Sequence, residues 1–235
     1  MNSASVKAVY FDAAGTLIRP SRRVGESYAA IAGKYGKRLT PDELSERFRL
    51  CFDGAPRLAF PNAASGDIHR LERDWWRTLV RRVFEPFGRF DSFEDFFTEL
   101  FDYFAQPAAW TLFPEVLDTL TGLQQRGLKL AVISNFDSRL LTLLDGLGIG
   151  LFLSDVFVSS RVGYAKPDRR IFELALGRLG LQAREAIHVG DHEANDFEGA
   201  RNAGLTALLI DRRATGAASA DRLMSLRQIL ARLDT

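Results

Sequence analysis

Short apolar runs alternate with helical patterns along residues 111–235, and this alternation limits the fold more than any other feature. We expect strands at 128–133, 152–159, 186–189 and 206–210. We expect helices at about 114–125, 137–147, 168–179, 195–203 and 222–233. Strands that alternate with helices form parallel sheets with right-handed crossovers, and near-continuous apolar runs indicate that both sheet faces are covered. The sequence therefore predicts an α/β fold with a doubly wound, Rossmann-like parallel sheet.

A further apolar run, residues 5–11, precedes this region and ends at Asp12. The chain between Arg19 and about Trp110 carries helical patterns throughout, at about 24–35, 40–51, 69–84 and 91–104. Many of the 18 phenylalanines lie in this segment, which indicates an aromatic core of its own. We predict a core domain formed by residues 1–18 and 111–235, and an all-helical cap, residues 19–110, inserted after the first strand.

The charge balance argues against nucleic-acid and membrane partners. With 31 Lys and Arg against 30 Asp and Glu, the net charge is +1, so no strong field attracts polyanions. No apolar run is long enough to span a bilayer, and the first residues lack the pattern of a signal peptide. Cys51 is the single cysteine, which fits a reducing compartment. We expect a cytoplasmic protein, and the choice between monomer and homodimer stays open.

Polar residues follow several of the expected strands. Asp12, Ser134 with Asn135, and Asp191 come directly after strands, and Lys166 precedes a helix. The carboxyl ends of parallel strands meet at one edge of a sheet, where ligands bind. Carboxylates and an ammonium at one edge suit an anionic substrate together with a hard divalent cation such as Mg²⁺.

These residues form four motifs that resemble those of the haloacid dehalogenase superfamily. The motifs are Asp12-x-Ala-Gly-Thr-Leu, Ile133-Ser-Asn, Lys166-Pro-Asp and Gly190-Asp-x-x-x-Asn-Asp, in that order along the chain. Residues 75–76, 133–137 and 166–172 further resemble the subgroup called haloacid dehalogenase-like hydrolase domain-containing protein 3. The resemblance covers the whole chain and implies the fold of that superfamily, with the helical segment as its cap.

The resemblance also implies roles for single residues. Asp12 matches the nucleophile, Ser134 the phosphate-binding hydroxyl and Lys166 the lysine that neutralises charge. The residues expected to bind the substrate are Thr16, Ser134, Asn135 and Lys166. The expected Mg²⁺ ligands are Asp12, the backbone carbonyl of Ala14 and Asp191, with Asp196 supporting the metal or the lysine.

Ala14 departs from the pattern, because phosphatases of the superfamily carry a general acid and base at this position. General acid–base catalysis typically contributes roughly 10²–10⁴-fold. The superfamily's L-2-haloacid dehalogenases also lack this acid but need no metal. Phosphonoacetaldehyde hydrolase lacks it as well, but uses a cap lysine, and the only lysines in this cap are Lys34 and Lys37.

The third alternative is an atypical phosphatase, or a catalytically weak protein that binds a phosphorylated ligand. His192 and Asp137 are the nearest candidates to replace the missing acid. We favour a Mg²⁺-dependent phosphatase that acts on a small phosphorylated metabolite, because the metal-binding acids are retained. The alternatives are a 2-haloacid dehalogenase and a pseudoenzyme.

Overall fold

The computed structural model describes residues 6–214 and 220–233; residue 5 of the expected first strand lies outside them. The strands are β1 (Ala8–Phe11), β2 (Ile18–Pro20), β3 (Trp110–Leu112), β4 (Lys129–Ser134), β5 (Asp155–Val158), β6 (Ala186–Gly190), β7 (Thr206–Ile210) and β8 (Arg222–Leu223). The helices are α1 (Val24–Lys34), α2 (Pro41–Asp53), α3 (Ile68–Phe84), α4 (Phe93–Tyr103), α5 (Val116–Gln125), α6 (Arg139–Gly146), α7 (Ser159–Val162), α8 (Arg169–Leu179), α9 (Gly199–Asn202) and α10 (Gln228–Leu233).

Six strands form one parallel sheet in the order β5-β4-β1-β6-β7-β8. The predicted α/β fold with a parallel sheet is therefore confirmed. Strand β1 lies at the centre, with Phe11 beside Val132 of β4 and Val189 of β6. This register brings the carboxyl ends of β1, β4 and β6 together, so the residues that follow these strands lie at one edge.

The strands are buried on both faces. Val9 and Phe11 pack with the residues of α5, α6 and α10 on one side of the sheet. Ala8 and Tyr10 pack against α8 and α9 on the other side. Burial raises the pKa of the Tyr10 hydroxyl, which donates to the carbonyl of Ala175 at 2.9 Å. Apolar side chains on both strand faces explain why these runs lack the polar alternation of an exposed sheet.

Helices α1–α4 surround a separate aromatic cluster. Phe84, Phe93 and Phe96 are buried there, and the Phe96 ring makes edge-on contacts with the other two. Cys51 is buried in the same cluster, as a small apolar side chain. Helix α2 begins where the sequence indicates, because the side chains of Thr40 and Glu43 bond each other's backbone N–H groups in a capping box.

The segment between Arg19 and Trp110 is not helical throughout, and this expectation is wrong at both ends. Strand β2 pairs antiparallel with β3, with Ile18 opposite Leu112 and Pro20 opposite Trp110. Proline has no N–H group and is tolerated at the edge of a sheet rather than inside a helix. The chain thus enters and leaves the helical region through one two-stranded ribbon.

The expected helix 222–233 is also wrong in its first half. Residues Arg222 and Leu223 form β8, which pairs with the outer edge of β7. The Leu209 N–H donates to the Asp221 carbonyl at 2.8 Å, and the Asp211 N–H donates to the Leu223 carbonyl at 2.7 Å. These bonds satisfy backbone groups that the end of the sheet would otherwise leave unpaired.

The expected helix 195–203 begins two residues earlier and consists of a π-helical part followed by an α-helical part. A π-helical turn covers Glu193–Glu198, and α9 continues from Gly199. Gly199 lies against Pro167 and Phe172, where the space allows no side chain. The wider turn places Asp196 towards the sheet edge. Among the described residues, no helix is both long and apolar enough to cross a membrane.

Candidate active site

Asp12 follows β1 and is buried, with 7% of its surface exposed. Its Oδ1 accepts a hydrogen bond from Ser134 Oγ at 3.1 Å and from Lys166 Nζ at 2.7 Å. Burial raises the pKa of Asp12, and the Asp196 carboxylate raises it further, while Lys166 acts in the opposite direction. The structure therefore brings together the three residues expected to be catalytic.

Lys166 links two carboxylates. Its Nζ also donates to Asp196 Oδ1 at 2.6 Å. Burial lowers the pKa of Lys166, but Asp12 and Asp196 outweigh this and hold the pKa above its usual value. Although burial raises the pKa of Asp196, Lys166 and His188 reverse the effect and hold it well below the usual range. The ammonium thus stays charged between two acids.

Asp196 is fully engaged by donors. His188 Nε2 lies 2.9 Å from its Oδ1, and the His192 N–H donates to its Oδ2 at 3.1 Å. Burial lowers the pKa of His188. With both oxygens of Asp196 occupied, this acid is placed to orient Lys166, as expected for a supporting residue.

Asp191 is more exposed than the other two acids and lies over the turn after β1. Thr16 Oγ1 donates to its Oδ1 at 3.4 Å. Gly15 has a φ of +103°, and a Cβ there would overlap the Asp191 carboxylate. Glycine is therefore required at position 15 both by the backbone and by the close approach of Asp191.

Three carboxylates share one small volume. One oxygen from each of Asp12, Asp191 and Asp196 lies within 4.8 Å of the others. Burial, together with Asp12 and Asp196, raises the pKa of Asp191 to about 7. Like charges at such distances oppose one another, and a divalent cation bound between them would remove this cost.

Asn135 has a backbone role in the site. Its Nδ2 donates to the Lys166 carbonyl at 2.9 Å, and its Oδ1 accepts from the Lys166 N–H at 2.7 Å. The amide thus holds the chain on both sides of the lysine. Asn135 was expected to bind substrate, but the contacts of its side chain fix the position of Lys166.

Both expected replacements for the acid missing at position 14 make hydrogen bonds to other residues. Asp137 is fully buried and accepts from the Arg139 side chain at 2.8 and 2.7 Å, from the Arg139 N–H at 3.0 Å and from Trp76 at 2.6 Å. The His192 ring accepts a hydrogen bond from the Asn195 N–H at 3.2 Å and caps the π-helical turn. The contacts of Asp137 hold the loop against α3 and leave its part as a general acid a prediction.

Two residues that shape the site were assigned no role from the sequence. His188 lies inside β6 and bonds Asp196 directly. Arg212 donates to the Thr16 carbonyl at 2.7 Å and pairs with Glu115, which fixes the turn that carries Asp12. A lone polar residue inside an apolar strand is a usable signal for His188, but no local pattern marks Arg212.

Helix α3 packs against the loop that follows Ser134. Glu72 is 2% exposed, and its Oε1 accepts from Ser138 Oγ at 2.7 Å and from Ser160 Oγ at 2.6 Å. Trp76, one turn further along α3, donates to Asp137. The helical region is thus fastened to the same loop that holds Ser134 and Asn135.

Comparisons with known proteins agree with this geometry. A family model described as haloacid dehalogenase-like hydrolase matches residues 6–204. The human haloacid dehalogenase-like hydrolase domain-containing protein 3 is 35% identical over 208 residues, which are 87% of this chain and 82% of the human protein.

Solved structures show the same architecture. A HAD phosphatase from Thermococcus onnurineus has a TM-score of 0.66 at 26% identity, over 97% of this chain and 98% of that chain. The magnesium-bound HAD-hydrolase YfnB from Bacillus subtilis has a TM-score of 0.80 at 18% identity, over 98% of this chain and 100% of that chain. The likeness therefore includes both the sheet and helices α1–α4.

Proposed function

Since the chain belongs to the haloacid dehalogenase-like hydrolase family and is a hydrolase, we propose that it is a Mg²⁺-dependent phosphatase with Asp12 as its nucleophile. One observation carries the proposal: Asp12 lies in hydrogen-bond contact with Ser134 and Lys166, within a group of three carboxylates. The substrate is a small phosphorylated metabolite. The division into a core, residues 1–18 and 111–235, and a cap, residues 19–110, in a cytoplasmic protein is part of the same proposal.

The donor set fits Mg²⁺. Asp12 and Asp191 offer carboxylate oxygens within one small volume, and the backbone carbonyl of Ala14 would be a further ligand. Hard oxygen donors of this kind, completed by water and substrate phosphate, are what Mg²⁺ prefers. When bound, the ion would neutralise charge on the phosphoryl oxygens. Asp196 would support the site through Lys166 rather than as a direct ligand.

The first step is attack by a carboxylate oxygen of Asp12 on phosphorus. The bond from phosphorus to the ester oxygen breaks as the bond to Asp12 forms, which leaves an aspartyl phosphate and an alcohol. Ser134, Thr16 and Lys166 would hold the phosphoryl oxygens, and the ammonium of Lys166 also favours the ionised form of Asp12. Water then hydrolyses the acyl phosphate, which releases inorganic phosphate and restores Asp12.

Ala14 makes the rate of hydrolysis depend on the acidity of the alcohol that leaves. The departing alkoxide needs a proton, and a methyl group at position 14 has none to give, so the proton must come from water. Esters of acidic alcohols are therefore turned over faster than esters of ordinary alkyl alcohols. The enzyme should be slower on alkyl esters than a relative with an acid at this position.

One observation favours a second function, the hydrolysis of a 2-haloacid. A halide leaves without a proton, so Ala14 would be no handicap in that reaction. Asp12 would again be the nucleophile, but Asp191 and Asp196 would be unexplained without a metal, which is why the phosphatase is preferred. A protein that binds a phosphorylated ligand without turnover is the remaining alternative.

A panel of substrates tests the proposal. Phosphate release is measured from p-nitrophenyl phosphate, sugar phosphates and phosphonates with Mg²⁺ or with EDTA, and chloride release from 2-chloropropionate. Phosphate release that needs Mg²⁺ and disappears in Asp12→Asn is the expected result. Chloride release in EDTA would establish the dehalogenase instead, and Mg²⁺ binding without turnover would indicate the pseudoenzyme.

A further inference from the structure

A cavity lies between helices α1, α3 and α4, strand β3 and the loop after β4. It contains about 500 Å³ of empty space, part of it open to solvent. Its walls are largely aromatic, and they include Trp76, Phe101, Phe104 and Phe136. Sites for small molecules typically combine apolar walls with a few polar groups that fix orientation.

Tyr28 supplies the first polar group. Its side chain lines the cavity and is 2% exposed, and its hydroxyl has no hydrogen-bond partner among the described residues. Burial raises the pKa of this hydroxyl, so it is a neutral donor at physiological pH. A hydroxyl that lines an apolar cavity without a partner can donate to a ligand that carries an acceptor.

Arg139 supplies the second group. Three of its N–H groups are used, two by the Asp137 carboxylate and one by the Phe101 carbonyl at 2.9 Å. A guanidinium has five such groups, so two remain for a ligand. Its charge is balanced by Asp137, and its plane lies 3.9 Å from the centre of the Phe101 ring. The balance of charge favours a neutral acceptor over a second carboxylate.

The cavity lies beside the loop that follows the candidate site. Phe136 lines it, and Ser134, only two residues earlier, donates to Asp12. Two residues span at most about 7 Å, so the Cα atom of Phe136 lies within about 7 Å of that of Ser134. Trp76 of α3 and Arg139 of α6 line the same cavity.

We propose that this cavity receives the alcohol part of the substrate, and that the substrate is a phosphate monoester of an apolar, aromatic alcohol that carries one neutral hydrogen-bond acceptor. Tyr28 binds the acceptor, with Arg139 as its second donor, and the aromatic walls exclude highly hydroxylated alcohols. This specificity rests on the proposed phosphatase function, which the experiment below tests separately.

The experiment compares three esters whose leaving alcohols are all primary: ethyl phosphate, 2-phenylethyl phosphate and 2-(4-acetylphenyl)ethyl phosphate. Burial of the phenyl ring should raise kcat/KM about 30-fold over ethyl phosphate. The acetyl oxygen should add about tenfold through Tyr28. Tyr28→Phe keeps the ring and its packing, and should remove only the acetyl advantage.

A matched variant controls for the loss of a hydroxyl. Tyr35→Phe removes a hydroxyl that donates to Glu99, and neither residue lines the cavity. Its ratio of kcat/KM between the two aromatic esters should equal that of the unmodified protein. The same tenfold loss in Tyr35→Phe would overturn the role of Tyr28.

Binding of the product alcohol separates the two proposals. Calorimetry with 2-(4-acetylphenyl)ethanol should show binding that weakens about tenfold in Tyr28→Phe. If no ester is hydrolysed but this binding is found, the phosphatase fails and the cavity assignment stands. The cavity assignment is overturned if kcat/KM for ethyl phosphate equals that for the aromatic esters. It is also overturned if Tyr28→Phe leaves binding of the alcohol unchanged.

Discussion

Lys166 and Arg139 are both basic side chains that lie against buried carboxylates, but their surroundings differ in charge. Lys166 lies between Asp12 and Asp196, with Asp191 nearby, so three acids face one ammonium. Arg139 pairs with Asp137, and that carboxylate accepts hydrogen bonds from Arg139 and Trp76. One group has an excess of negative charge, and the other is balanced.

This difference in charge distinguishes a candidate catalytic site from a structural ion pair. The Asp137 carboxylate is already paired with a cation, and its pair with Arg139 joins α3 and α4 to the loop that carries Ser134. An excess of carboxylates is costly until a cation arrives, and such sites are where ligands and catalysis are found. A buried aspartate therefore belongs to a candidate ligand site at position 12 and to a structural ion pair at position 137.

The largest expected effect comes from Asp12→Asn. Loss of the nucleophile should lower kcat by at least about 10⁴-fold. The free energy of unfolding, measured with urea in EDTA, should not fall by more than about 1 kcal/mol, because a like charge is removed with the Lys166 contact. A strongly destabilised but active variant would contradict the assignment of Asp12 and the comparison itself.

Asp137→Asn should act on stability instead. It leaves the Arg139 guanidinium without its counter-charge in a buried position, which should cost about 3 kcal/mol of unfolding free energy. Urea denaturation measures this loss. Asp118→Asn is the control, since its pair with Arg227 is exposed and should contribute little. Equal costs in the two variants would show that Arg139 and Asp137 do not form a structural pair.

Ala14→Asp adds an acid where a proton is needed. It should raise kcat for ethyl phosphate about tenfold, with little effect on p-nitrophenyl phosphate, whose leaving group needs no proton. Steady-state phosphate release with Mg²⁺ measures both. The double variant Asp12→Asn, Ala14→Asp should be inactive, and a flat response of Ala14→Asp in a folded protein would exclude Ala14 as the limiting residue.

The smallest expected effect is a pH dependence at Asp191. Its pKa is about 7 in the folded protein and near 3.8 when unfolded, so the folded state holds its proton to higher pH. Stability in EDTA should therefore fall between pH 4 and 7, by about 1 kcal/mol since the group is partly exposed to screening solvent.

Urea denaturation at several pH values measures this slope against Asp191→Asn, which should lack it. Saturating Mg²⁺ should also remove the slope, because a cation favours the charged carboxylate. A slope that persists unchanged in Asp191→Asn would assign it to another group.

The sequence predicted most of the sheet and the charged centre, for a physical reason. Apolar runs buried on both faces leave an unmistakable pattern, and parallel strands bring Asp12, Ser134 and Asp191 to one edge whatever lies between them. The motifs then predicted the contact with Lys166, which local periodicity cannot place.

The features that the sequence did not predict have no local pattern, because they depend on contacts between residues far apart in the chain. Arg222 and Leu223 form a strand only because the edge of β7 lies beside them. The sequence does not show that the Asp137 carboxylate accepts hydrogen bonds. The bond from Trp76 forms only because α3 packs on the loop. Tyr28 is one of several aromatic residues in a helical pattern, and only the folded helices show that its hydroxyl has no partner among the described residues.

The ribbon of β2 and β3 has a consequence for how this chain can be rebuilt. Pro20 and Trp110 are paired neighbours, so residues 21–109 leave and rejoin the chain at almost the same point. Such a segment can be replaced as a unit. A tight two-residue turn, or a different set of helices, can join β2 to β3 without changing the strand register of the main sheet. The ribbon is therefore the natural junction at which to exchange helices α1–α4 while the charged centre is kept.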